Sequence, residues 1–101
     1  MTVITLSDIL DDLGVAEQGL RKFERRYWLS SEDFYKLYSQ GLLDNGENLE
    51  DFSEWAAYFK LRKKRQNALN EISSTRIKTI QEKFIGETIY LKPAEPVFQI
   101  G

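Results

Sequence analysis

The chain has 101 residues, with 42% hydrophobic residues, 13% aromatics, no cysteine and no histidine. That excludes disulfides, thiolate chemistry and Cys-built zinc sites, and it removes the usual general base and the commonest metal ligand. Net charge is −2, but residues 1–59 carry five Lys/Arg against twelve Asp/Glu, whereas residues 60–101 carry nine against four.

A first short helix is expected from Ser7 as N-cap, with Asp8 in the first turn and Leu6, Ile9, Leu10 and Leu13 at helical spacing. Gly14 is expected to end it. A second helix spans residues 15–26. Its apolar stripe is Ala16, Leu20, Phe23 and Tyr27, Glu17 and Arg21 form an i,i+4 pair, and Gly19 weakens it. Ser30 or Ser31 caps a third helix, which carries Glu32 and Asp33 at its positive end and Phe34, Leu37 and Tyr38 on one face. Gly41 suits the position just past its end. Residues 42–47 contain an Asn-Gly turn signal and are expected to join two helices, because the flanks lack the alternation of a hairpin.

Asn48 is expected to cap the fourth and longest helix, with Phe52, Trp55, Ala56 and Phe59 as its stripe. The stripe lapses at Arg62, Lys63 and Gln66 and resumes with Leu69 and Ile72. Ser73-Ser74-Thr75 interrupts it again before Ile77, Ile80 and Phe84 lead to Gly86. One bent helix, two helices, or a strand over residues 77–84 all remain open at this level. Beyond it, Glu87-Thr88-Ile89-Tyr90-Leu91-Lys92 is rich in β-forming types, Pro93 and Pro96 forbid a helix, and Val97-Phe98-Gln99-Ile100-Gly101 is apolar.

The expected fold is therefore mainly α: a helical domain of four to five helices over residues 1–86, with an extended, strand-like C-terminal arm over residues 87–101. Its core should centre on Ile9, Leu13, Leu20, Phe23, Phe34, Leu37, Phe52, Trp55 and Phe59. No apolar run reaches the roughly 18 residues of a membrane span, and the opening residues lack the basic and apolar regions of a secretory leader. A cytoplasmic protein without membrane contact is expected.

The residues point to binding rather than catalysis. No glycine pattern cradles a phosphate. The carboxylates Asp8, Asp11 and Asp12, and Glu50, Asp51 and Glu54, cluster where a helix dipole favours them, so neither a metal nor another cofactor is expected. Lys60, Arg62, Lys63, Lys64 and Arg65 place five positive charges in six residues. They are candidate phosphate contacts for nucleic acid, or alternatively a solvated face balancing the acidic front half. Trp28, Trp55, Tyr27, Tyr35, Tyr58 and Phe59 could stack on bases, although helical spacing makes Trp55 and Phe59 core residues. The arm supplies candidate partner-binding residues Ile89, Tyr90, Leu91, Val97, Phe98 and Ile100. An apolar tail must cover its side chains on its own domain, on a second copy or on another protein, for example by strand addition.

The order Phe23-Glu24-Arg25-Arg26-Tyr27, Leu29-Ser30-Ser31-Glu32-Asp33-Phe34-Tyr35, Gly41-Leu42-Leu43-Asp44 and Glu50-Asp51-Phe52-Ser53-Glu54-Trp55-Ala56 resembles a group of small prokaryotic antitoxin-like proteins of type II toxin–antitoxin pairs. The resemblance covers about residues 20–65. It implies a non-catalytic protein that neutralises a cognate toxin, often a ribonuclease, by direct occlusion. It also implies operator DNA as a partner of the complex, though no DNA-reading motif is present. The alternatives are a nucleic-acid-associated transcriptional regulator using the basic helix, and an oligomeric adaptor that self-associates through the arm.

Overall fold

The computed structural model describes residues 4–44, 46–93 and 99–100. In chain order these form β1 (Ile4–Thr5), α1 (Leu6–Tyr27), α2 (Ser31–Ser39), α3 (Leu49–Lys83) and β2 (Gln99–Ile100). The protein is mainly helical, with three helices among the described residues rather than four or five. The break expected at Gly14 is absent, and the question left open at Ser73-Ser74-Thr75 is settled in favour of one continuous helix.

Ile9, Leu13, Ala16, Leu20, Phe23 and Tyr27 recur at alternating steps of four and three straight through the glycine. Burying that stripe on α3 outweighs the roughly 1 kcal/mol that a mid-helix glycine costs. The helix also starts earlier than Ser7. Thr5 is the N-cap, its hydroxyl accepting from the Asp8 amide at 3.1 Å while the Asp8 carboxylate accepts from the Thr5 amide at 3.2 Å. This reciprocal box satisfies two otherwise orphaned donors, which Ser7 could not do with the residue three positions on, Leu10.

Ser73, Ser74 and Thr75 are exposed mid-helix positions of α3, which continues to Lys83, so a strand over residues 77–84 is not formed. A helix of 35 residues is about 52 Å long, close to the molecule's longest extent of 57 Å.

α2 begins at Ser30, whose hydroxyl accepts from the Asp33 amide at 3.1 Å. It ends as expected at Gly41, which adopts φ +69°. The Gly41 amide reaches the Tyr38 carbonyl at 3.1 Å and the Leu42 amide reaches Leu37 at 3.0 Å, the paired bonds of a left-handed glycine stop. Asn48 precedes α3 as expected but makes no side-chain capping bond.

The core lies where the three helices meet. Leu20, Phe23, Phe34, Phe52 and Trp55 are buried there and Ile9 is buried apart from them near the start of α1, whereas the expected Leu13, Leu37 and Phe59 are half-buried, Phe59 packing against the cluster. Phe34 stacks on Trp55 with ring centroids 3.9 Å apart, and Phe23 and Tyr27 stack on the same indole at 5.6 and 5.5 Å. Small residues matter as much: Ala16, Ala56, Gly19 and Ser31 are buried too. The aromatic ring of Tyr58 fills the notch left by Gly19, so α1 and α3 approach closely there.

Candidate interaction surfaces

The charge asymmetry of the sequence is resolved by the antiparallel pairing of α1 with α3. Asp12 meets Arg65 at 2.7 Å, Glu17 meets Arg62 at 3.5 Å, Lys22 meets Glu54 at 3.4 Å, and Arg26 meets Asp51 at 3.2 Å. Steps up α1 match steps down α3. Early acids on α1 therefore face late bases on α3, and late bases on α1 face early acids on α3. Lys22 and Glu54 are both exposed and the other three pairs each have one partly buried partner; individually such pairs are weak, but together they oppose any slip of register.

This register divides the basic run. Arg62 also reaches Glu32 at 2.7 Å and lies 5.1 Å from the Phe59 ring centroid. Arg65 is only 17% exposed in its pairing with Asp12. Both arginines are committed to holding helices together. Lys60, Lys63 and Lys64 are exposed and have no carboxylate within ion-pair distance among the described residues. The five expected phosphate contacts thus do not form one surface.

Lys60 and Lys63 instead border a groove of about 380 Å³ between α2 and α3. Its floor is Tyr35 stacked on Phe59, with centroids 4.5 Å apart. Lys36 and Ser39 of α2 complete the opposite rim, with Glu32 at one end. Lys36 and Ser39 carry no local signal that would have marked them; only the crossing of the two helices puts them beside Lys60 and Lys63.

The C-terminal segment turns back after Gly86, which has φ +72°. The Arg76 guanidinium donates to the Lys92 carbonyl at 2.7 Å, which lays the segment along the distal part of α3. β2 then pairs antiparallel with β1, Ile100 opposite Ile4 and Gln99 opposite Thr5. The backbone of the segment therefore returns to its own domain. Its side chains do not all follow: Ile85 is 81%, Tyr90 71% and Leu91 73% exposed, and Ile89 is exposed as well. Of the expected partner-binding residues, Val97 and Phe98 lie outside the described residues, and Ile100 is described by its backbone pairing alone.

Trp28 is a separate feature. It ends α1 in the left-handed region at φ 56°, among the described residues the only non-glycine with positive φ, and its indole is 92% exposed. A left-handed backbone is costly for a bulky side chain, and this one gains no burial in return.

Inside the bundle, Glu24 is the one carboxylate with a resolved departure from ordinary acidity. Burial alone would raise its pKa, but bonds from the Ser31 hydroxyl at 2.7 Å, the Ser31 amide at 3.1 Å and Arg21 at 2.8 Å outweigh it and hold the carboxyl below its usual range. Burial raises the Tyr27 phenol, and its 2.6 Å bond to Asp51 adds to that. Both groups tie helices together, and neither lines the groove between α2 and α3. Among the described residues no three acidic or metal-binding side chains converge on one point, and no helix is long and apolar enough to cross a membrane. No protein-family model, no curated protein and no solved structure gives a significant match to the chain.

Proposed function

We propose that the protein is a non-catalytic, cytoplasmic binding protein whose C-terminal segment grips another protein, in the manner of an antitoxin occluding a cognate toxin. The observation that carries this reading is the mismatch within residues 85–93. The backbone is anchored through Arg76 and Lys92, yet Ile85 and the consecutive Ile89, Tyr90 and Leu91 remain exposed. An anchored segment loses less entropy on binding than a free tail, and exposed aromatic and aliphatic side chains on it are what a protein contact uses. The order of residues 23–56 resembles antitoxin-like proteins and supplies the finer expectation of a toxin, such as a ribonuclease, as the partner. The engagement of Arg62 and Arg65 within the bundle counts against the nucleic-acid alternative.

The test is affinity capture from the native lysate with the full chain and with an Ile89→Ser/Tyr90→Ser/Leu91→Ser variant. One stoichiometric protein captured by the first and lost by the second, with unchanged helical circular dichroism, supports the reading. Capture that survives the substitutions rules out the segment as the grip. Concentration-dependent self-association lost in the variant would replace it with the oligomeric adaptor.

A further inference from the structure

We propose that the groove between α2 and α3 is a second docking site, for an acidic peptide segment that presents an apolar side chain between carboxylates. The charges around it are left over from the register. Glu32 shares Arg62 with Glu17 and meets it at 2.7 Å, so the charge at the acidic end of the rim is partly offset. Lys60 and Lys63 have no partner among the described residues, and the one ion pair of Lys36, with Asp33 at 3.9 Å, is long and exposed on both sides. Three ammonium groups therefore surround a floor made of Tyr35 and Phe59. The volume, about 380 Å³, falls within the range in which proteins take up side chains and small ligands.

The floor decides the class of occupant. A nucleic acid would need an aromatic face to stack on. The Tyr35 and Phe59 rings stack on each other at 4.5 Å and 15°, and Tyr38 tilts onto Tyr35 at 6.1 Å. The facing sides of the Tyr35 and Phe59 rings are thus taken up by each other and Arg62 lies 5.1 Å from the Phe59 centroid, which leaves less ring face for a base and favours a leucine or phenylalanine side chain. Three lysines also give few phosphate contacts in a protein of net charge −2. Carboxylates one helical turn on either side of an apolar anchor would reach Lys36 on one rim and Lys60 and Lys63 on the other, the pattern of a short amphipathic helix in a groove. The site is independent of the C-terminal segment, since Lys63 and Arg76 are 13 residues apart on α3, about 20 Å along the helix.

The experiment titrates the ¹⁵N-labelled full chain with a 12-residue helical peptide bearing a central leucine flanked by glutamates, with the same peptide carrying glutamines, and with a 12-nucleotide oligothymidine. The glutamate peptide should shift the amides of Tyr35, Ser39, Phe59, Lys60 and Lys63, with an affinity that falls as salt rises. A Lys36→Ala/Lys60→Ala/Lys63→Ala variant, altered only at exposed positions, should keep its circular dichroism and bind about tenfold more weakly, the expectation for three exposed charge pairs. Serine substitutions at Ile89, Tyr90 and Leu91 should leave this binding unchanged, which separates it from the grip proposed above. Equal binding of the glutamine peptide, unchanged binding by the triple alanine variant, or no shift at these amides overturns the proposal. Tighter binding of the oligonucleotide at the groove, or groove shifts that depend on protein concentration alone, overturns the choice of occupant.

Discussion

The Trp55 indole donates to the Ser31 hydroxyl at 2.9 Å, and that hydroxyl in turn donates to Glu24 at 2.7 Å, so one buried serine joins all three helices. Removing the hydroxyl leaves the indole N–H without an acceptor in a site closed to water. Ser31→Ala should therefore lower stability by about 1–3 kcal/mol. Trp55→Phe deletes the donor but also leaves a cavity. The double variant should be less destabilised than the sum of the two, because the orphaned N–H is then gone. Urea unfolding of the four proteins measures this, and strict additivity would mean the bond contributes nothing to the fold.

Glu24 makes the same junction sensitive to acid. Its folded-state pKa lies below the ordinary 4.5, so on acidification the unfolded chain takes up the proton first. The stabilisation is fully present above about 4.5 and is lost as pH falls through the lower folded value. Other carboxylates titrate there too, so the comparison is with Glu24→Gln. The difference in urea midpoint between wild type and variant should be largest near neutrality and shrink toward about pH 3. A constant difference across that range would remove the ionised form of Glu24 from the account.

The two helical glycines of α1 should respond to alanine with opposite sign. At Gly14 a Cβ meets nothing within 4 Å, so the substitution brings only the gain in helix propensity, about 0.5–1 kcal/mol of added stability. At Gly19 a Cβ would clash with the ring of Tyr58. That ring must move or the helices must separate, at a cost of about 1–3 kcal/mol. Adding Tyr58→Ala to Gly19→Ala should recover part of the loss through relief of the clash. Thermal melts of Gly14→Ala and Gly19→Ala that shift in the same direction would contradict the close approach of α1 and α3.

The same two glycines show how far the fold was legible in the sequence. Local rules marked Gly14 as a stop, yet the run from Ile9 to Tyr27 keeps a 4–3 rhythm across it, and that period was the stronger signal. They gave Gly19 only a propensity cost, because its use depends on a tyrosine 39 positions away. Gly41 and the cap at Ser30 were legible because their bonds are made within a few residues. The basic run was visible as composition but not as function. Which cations remain free depends on Glu17, Glu32 and Asp12, and these are brought to Arg62 and Arg65 only by the pairing of distant helices. Lys36 joins the groove by the same long-range route. The apolar character of residues 85–91 was plain, whereas their exposure despite an anchored backbone was not.

Trp28 offers a test in which the fold should improve. A left-handed position at a helix end suits glycine, and a tryptophan there bears a conformational cost of about 1–2 kcal/mol. With 92% of the indole exposed, little packing offsets it. Trp28→Gly should thus raise stability by about 1 kcal/mol, after allowance for the entropy that glycine adds to the unfolded chain. Fluorescence identifies the two tryptophans independently. Acrylamide should quench Trp28 and spare the buried Trp55, and the glycine variant should lose the quenchable, red-shifted component alone. A destabilised variant would show that the indole holds the α1–α2 turn in place. A more stable one would mean that the residue at this turn is not chosen for folding, and natural sequences give up stability in this way at positions that serve binding.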